Sequence, residues 1–224
     1  MERKLIIPGE VIIKGKEYLP GEWTEKKGEE IIALRFGVAE EQDKLVKVIP
    51  ISGPYQPRRG NVVIGQIVNI MGSGWFMDID TPENAFLPVS EFPRYVNKGE
   101  LAEVLPLGSV VVAKIFNMDK RGIDLTLRDR GSFGRIEDGM IVKVNSNKVP
   151  RIIGKEGSMI NLIKEETGCN ITVGQNGIIW ISGKDTESEL HAKEAIMFIT
   201  EKFFLEGLTE EVKNWFETRK KHKD

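Results

Sequence analysis

Gly154-Lys155-Glu156-Gly157 is the four-residue stretch whose types and spacing point most directly to chemistry. Two glycines bracket two charged residues, and a helical pattern follows from Ser158. Glycine carries no Cβ, so the backbone at Gly154 and Gly157 can come close to an anionic group. The start of the following helix would point N–H groups at the same anion. Lys155 adds a positive charge, and Lys143, Lys148, Arg151 and Lys164 outnumber the acids nearby. This is chemistry of holding a phosphate, with no bond made or broken. A bare Gly-x-x-Gly also serves as a tight turn between two helices. A nucleotide-binding P-loop is a poor match, since no Gly-Lys-Ser/Thr ending is present.

The surrounding residues supply the elements that must position this loop. From about Gly139 a strand at 140–144 leads into helical spacing, with Ile160 and Ile163 on one face. Strands at 170–173 and 178–181 follow, joined through Asn176-Gly177, a strong hairpin signal. A long helix then opens on Thr186-Glu187-Ser188-Glu189, read as a capping box between Thr186 and Glu189. Its apolar stripe is Ala192, Ala195, Ile196, Ile199 and Phe203. The order is strand, helix, helix, strand, strand, helix. Beyond it, residues 219–223 read as a frayed basic tail.

Upstream, residues 60–130 hold five strand-like runs, at 61–70, 75–79, 85–87, 109–116 and 123–127. Five short strands without a long helix suit a small closed barrel. Alternation sets Met77 and Ile79 on one face and Phe76 on the other, making Phe76 the candidate for stacking on a base. Trp75 and Phe86 are expected to pack inside. The first segment, up to about Gln56, has β-like runs at 11–13, 31–34 and 45–49, with turns at Pro8-Gly9, Pro20-Gly21, Lys27-Gly28 and Pro50. Its charged stretch 22–30 reads as a solvated hairpin.

Composition sets outer limits. The net charge of −2, from 32 basic and 34 acidic residues, excludes a uniformly cationic surface, so any nucleic-acid site is a local patch. The single cysteine, Cys169, forms no internal disulfide, and with only His191 and His222 beside it no structural zinc site is expected. The acid pairs Glu29-Glu30, Glu40-Glu41, Glu165-Glu166 and Glu210-Glu211 are neighbours that do not converge on one metal, and read as solvated faces. No catalytic residues, metal or cofactor are expected. The apolar run 5–7 is too short for a signal peptide or a span, so a cytoplasmic protein without membrane association is expected.

Ile153-Gly154-Lys155-Glu156-Gly157-Ser158-Met159-Ile160, with Ile163 and Thr167-Gly168, resembles the KH domain of the type I order, βααββα. That resemblance implies a groove for about four nucleotides of single-stranded RNA. Gly154, Lys155, Glu156 and Gly157 would face the nucleic-acid backbone, and Arg151, Ser158 and Asn170 would line the groove. Glu156 repels phosphate and should weaken binding. Replacing Gly154 and Gly157 by Asp is expected to weaken binding while the fold survives.

Gly74-Trp75-Phe76-Met77-Asp78-Ile79 and Phe86-Leu87-Pro88-Val89-Ser90 resemble the S1-type RNA-binding domain, an OB-fold. Asp119 matches a position on that family's binding face. Pro88 stands where a histidine is common and Ile123 where a basic residue is common. Lys120, Arg121, Arg128 and Arg130 would compensate electrostatically.

The combined order is an N-terminal β domain (1–56), an S1-type barrel (57–132) and a KH domain with a basic tail (133–224). With Pro8-Gly9-Glu10, Gly37-Val38, Val48-Ile49-Pro50, Tyr55-x-Pro57 and Gly60-Asn61-Val62-Val63-Ile64-Gly65, it resembles the KH-containing cap subunits of the archaeal exosome. Their counterparts with a zinc ribbon are disfavoured by the single cysteine. The resemblance implies three copies on a ring of RNase PH-like subunits, docked by the N-terminal domain. They would feed single-stranded RNA, 3′ end first, to a ring that performs the phosphorolysis. The alternatives are a free-standing or translation-associated RNA-binding protein, an independent enzyme, and a structural protein that never touches RNA.

Overall fold

The β-branched runs and Gly/Pro turns of the first fifty residues resolve into seven short strands. The computed structural model describes residues 4–97, 99–129, 131, 133–203, 205 and 207–220. It divides into two compact units, meeting between Gly53 and Pro54.

In the first unit the strands are β1 (Lys4–Ile6), β2 (Val11–Lys14), β3 (Leu19–Pro20), β4 (Thr24–Lys27), β5 (Glu30–Ala33), β6 (Gly37–Gln42) and β7 (Leu45–Pro50). They form two sheets, ordered β1-β6-β7-β3 and β2-β5-β4. Alternation sends Ile6, Ala39 and Val48 into a small core with Ala33. The buried Thr24 hydroxyl accepts from Gly21 N (2.9 Å) and donates to Val46 O (2.9 Å), satisfying a polar group that burial would otherwise penalise. The 22–30 stretch is indeed a hairpin, edged by the ion pairs Lys14–Glu30 and Lys16–Glu29. Strands β1 and β3 lack a clear sequence signal, because two or three residues of alternation look like loop.

The second unit begins with a five-stranded barrel: β8 (Val62–Met71), β9 (Gly74–Asp78), β10 (Ala85–Pro88), β11 (Val110–Asp119) and β12 (Gly122–Thr126), with a one-turn helix α1 (Leu101–Val104) between β10 and β11. The strand order β12-β10-β9-β8-β11 closes through a β12–β11 pairing, and β10 runs parallel to β12. This is the expected OB-fold. Trp75, Met77, Ile79, Leu87, Ile115 and Leu125 fill its interior, and Trp75 donates its indole N–H to Leu101 O (3.0 Å). A two-residue strand β13 (Gly134–Arg135), unseen in the sequence, pairs antiparallel with Val111 and Val112 of β11.

The remainder is the expected βααββα arrangement: β14 (Met140–Lys143), α2 (Val149–Ile153), α3 (Ser158–Thr167), β15 (Asn170–Val173), β16 (Ile178–Ser182) and α4 (Thr186–Glu201). The antiparallel sheet β14-β16-β15 packs against the helices through Ile152, Ile163, Ile171, Ile179, Ala195 and Ile199. Two expectations need correction. The cap of α4 is Asp185, one residue earlier than expected, whose Oδ1 accepts from Ser188 N (2.8 Å), while Glu189 reaches back to Gly183 N (3.0 Å). A further helix that the sequence reading missed, α5 (Leu208–Lys220), takes in Arg219 and Lys220, the first two residues of the expected frayed tail. Leu208, Val212 and Phe216 bury themselves in the same core, and Arg219 pairs with Glu194 and lies 4.3 Å over the Trp215 ring. Residues 221–224 lie outside the described residues.

Asn176 explains why barrel and KH fold make one unit. Far from being an open hairpin tip, it is 1% exposed. Its Oδ1 accepts from Ile64 N (3.3 Å), and its Nδ2 donates to Ile64 O (2.7 Å) and Ile79 O (3.0 Å). Gln175 exchanges two further bonds with Val62, and Lys143 pairs with Asp80 (2.7 Å). The turn thus satisfies barrel backbone groups that burial would otherwise leave unpaired.

Candidate nucleic-acid interface

The loop at 154–157 is built by helix ends. Helix α2 stops at Ile153, and Gly154 takes φ +75°, ψ 174°. A Cβ there would stand 2.7 Å from Met159 N, closer than side chains approach. Gly154 is therefore required by packing as well as by conformation. Gly157 takes φ +81° but has more room, with Asn161 Nδ2 at 3.6 Å from a hypothetical Cβ. The expectation that both glycines tolerate Asp is corrected for Gly154: that change would push α3 away. Lys155 and Glu156 are exposed, and Glu156 holds the left-handed φ of +53°. Ten-residue α3 starts on Gly157 with no side-chain cap, so its dipole and first-turn N–H groups face the loop.

The basic patch is smaller than expected. Lys143 is committed to Asp80, and Lys148 donates to Thr200 O (2.9 Å) with its ammonium 5.0 Å over the Phe203 ring. Arg151 and Lys155 remain exposed beside the loop, and Lys164 is half-buried on α3. Ser158 is exposed at the start of α3 and Asn170 at the start of β15.

On the barrel, strand register aligns one row across all five strands. Asn69 lies opposite Phe76, Phe76 opposite Phe86, Phe86 opposite Asp124, and Asp124 opposite Asn117. Phe86 is corrected from an interior to an outer residue: its ring meets that of Phe76 at 5.0 Å. Period-two alternation with the buried Ala85 and Leu87 already carried that signal. Asn117 donates to Asp124 Oδ2 (3.1 Å), so the row joins two aromatic faces to an amide–carboxylate pair. Neither Asn117 nor Asp124 stood out in the sequence.

Asp119, Lys120 and Arg121 form the β11–β12 turn. Asp119 accepts from Arg121 N (2.7 Å), Nε (3.2 Å) and Nη2 (3.0 Å). The hydrogen-bonded Arg121 guanidinium holds the Asp119 carboxyl below the usual carboxylate range, so the pair is ionised at neutral pH. Arg128 lies beyond the other end of β12, its Nε donating to Phe92 O (2.9 Å). Cationic groups therefore bracket the aromatic row. Arg130 lies outside the described residues. Ile123, which stands in place of a basic residue, packs against the barrel core, whereas Pro88 shares the outer face with Phe86.

Among the described residues no cluster of three or more His, Cys, Asp or Glu could hold a metal ion. Cys169 is buried, and burial pushes its thiol pKa up. No described helix is long and apolar enough to cross a membrane.

A family model for the KH domain matches residues 139–198, the span that carries the loop. An exosome complex component Rrp4 from Methanosarcina barkeri is 39% identical over 226 residues, 100% of this chain and 86% of that protein. The chain belongs to the Rrp4 family of exosome complex components. The Rrp4 of Methanothermobacter thermautotrophicus is also 39% identical, over 95% of this chain and 67% of its own length. That of Pyrococcus furiosus is 37% identical over 95% of this chain and 82% of its own length. A crystal structure bearing the name of an exosome complex RNA-binding protein superposes with a TM-score of 0.68 at 35% identity, over 77% of this chain and all of the other. Membership of the Rrp4 family agrees with the KH-containing cap subunit that the sequence resembles.

Proposed function

We propose that this Rrp4-family protein is a non-catalytic RNA-binding cap of an archaeal exosome. It gathers single-stranded RNA in the cytoplasm and guides the 3′ end to a phosphorolytic ring of RNase PH-like subunits, three copies to a ring. The observation that carries this reading is the 154–157 loop: two positive-φ glycines, an exposed Lys155 and an uncapped helix start face one place. That place suits a phosphate. The barrel row Phe76–Phe86 adds π-faces for bases, with Lys120, Arg121 and Arg128 for phosphates. Each patch is modest alone, and several copies on one ring would bind by avidity.

The N-terminal unit suits docking. Leu5, Val38 and Ile49 lie in register across the outer face of its sheet, and Leu19 and Leu45 pair at another position. Leu5, Leu19, Leu45 and Ile49 are all exposed, an apolar grouping that favours a protein partner.

Native purification with mass spectrometry tests the assignment. RNase PH-like subunits in near-equal amount are the expected outcome. Ribosomal or translation proteins, or no stable companion, would favour a free-standing RNA-binding protein.

A further inference from the structure

Tyr95 is 88% exposed, the most exposed large apolar side chain among the described residues. Its loop is pinned on both sides. Phe92 packs 5.6 Å from the Trp75 ring, and Val96 is buried in the barrel core. Leu127 N donates to Glu91 O (3.1 Å), and Arg128 Nε to Phe92 O (2.9 Å), tying the loop to the end of β12. With its neighbours anchored, Tyr95 is held in solvent instead of folding back onto the barrel. An aromatic ring kept in water by rigid surroundings is preorganised to cover something.

Two features define what it covers. Arg94 is exposed next to it in the sequence, and Arg128 bonds the same loop, which also carries Glu91 and Glu100. The loop also continues the strand that carries Phe86, past Pro88. An exposed aromatic ring on a loop that holds two guanidinium groups matches a flexible polyanion with flat bases better than an apolar protein surface. We infer that Tyr95 stacks on a base of single-stranded RNA at the Arg128 end of the barrel, a separate post from the Phe76–Phe86 pair. The inference rests on the RNA-binding reading.

Fluorescence anisotropy with a short oligoadenylate and the full chain tests it. Tyr95→Ala is expected to weaken binding about 5- to 150-fold, the range for losing one stacked base, with an unchanged melting temperature. Tyr95→Phe keeps the π-face and should stay within about twofold. Full affinity in Tyr95→Ala, alongside weakening by Phe76→Ala, would overturn the inference and leave the RNA-binding reading standing. Equal losses in both Tyr95 variants would point to the hydroxyl and overturn stacking. Unchanged RNA affinity with loss of a copurifying protein would reassign Tyr95 to a protein contact. No affinity in the unmodified protein would overturn the functional reading itself.

Discussion

Lys155 and Glu156 oppose each other at the tip of the loop, one attracting phosphate and the other repelling it, and both are exposed. Because Gly154 cannot accept a side chain without moving Met159, the loop's function is best probed at Lys155. Lys155→Glu should weaken single-stranded RNA several-fold while the thermal melt stays in place. If one phosphate contact is lost, the slope of log affinity against log salt should flatten by about 0.7. An unchanged slope in a salt titration would remove Lys155 from the interface. Asp119 teaches a different lesson. Its three bonds from Arg121 make it a clamp on a cation as much as a contact of its own, a pairing invisible until the turn is closed.

Two elements show what local patterns conceal. Asn176-Gly177 reads as a hairpin turn, and it is one, but the Asn176 side chain bonds the backbone of Ile64 in β8 and of Ile79 just past β9. Asn176→Ala would leave Ile64 N–H, Ile64 C=O and Ile79 C=O without that partner. A loss of about 2–4 kcal/mol in denaturant unfolding is expected from buried groups left unpaired. Hydrogen exchange should quicken at Ile64, and a wild-type melt would show the plug to be dispensable. Helix α5 is the second case. Phe216 is buried in the KH core, so Phe216→Ala should cost about 3–5 kcal/mol in the same assay. A negligible change would mean that α5 merely rests on the fold. The basic character of residues 219–223 drew attention to charge, while the apolar positions 208, 212 and 216, at helical spacing, held the structural information.

At the scale of the molecule, a net charge of −2 coexists with a reading as an RNA binder. Discrete sites reconcile the two: the 154–157 loop, and the barrel face bracketed by Arg121 and Arg128. Docking is assigned to the other unit, so the functions should separate. Leu5→Asp with Ile49→Asp places two charges on the exposed apolar row. Copurification of ring subunits should fall while the affinity of the isolated protein for RNA stays unchanged. Equal loss of both activities would argue against that division of labour.

The linear order of residues determined the fold class, the placement of the barrel strands and the KH elements, and the Gly154–Gly157 loop. These depend on local periodicity, glycine chemistry and short-range spacing, all of which are written along the chain. Only tertiary structure decided which charges are available. Lys143 and Lys148 are basic in sequence but are engaged by Asp80 and by Thr200 and Phe203, residues more than fifty positions away. It also moved Phe86 to the outer face, revealed the bond between Asn117 and Asp124, and turned a hairpin tip into the link between barrel and KH fold. Each of these rests on partners distant in the chain, whose meeting is set by strand register and packing.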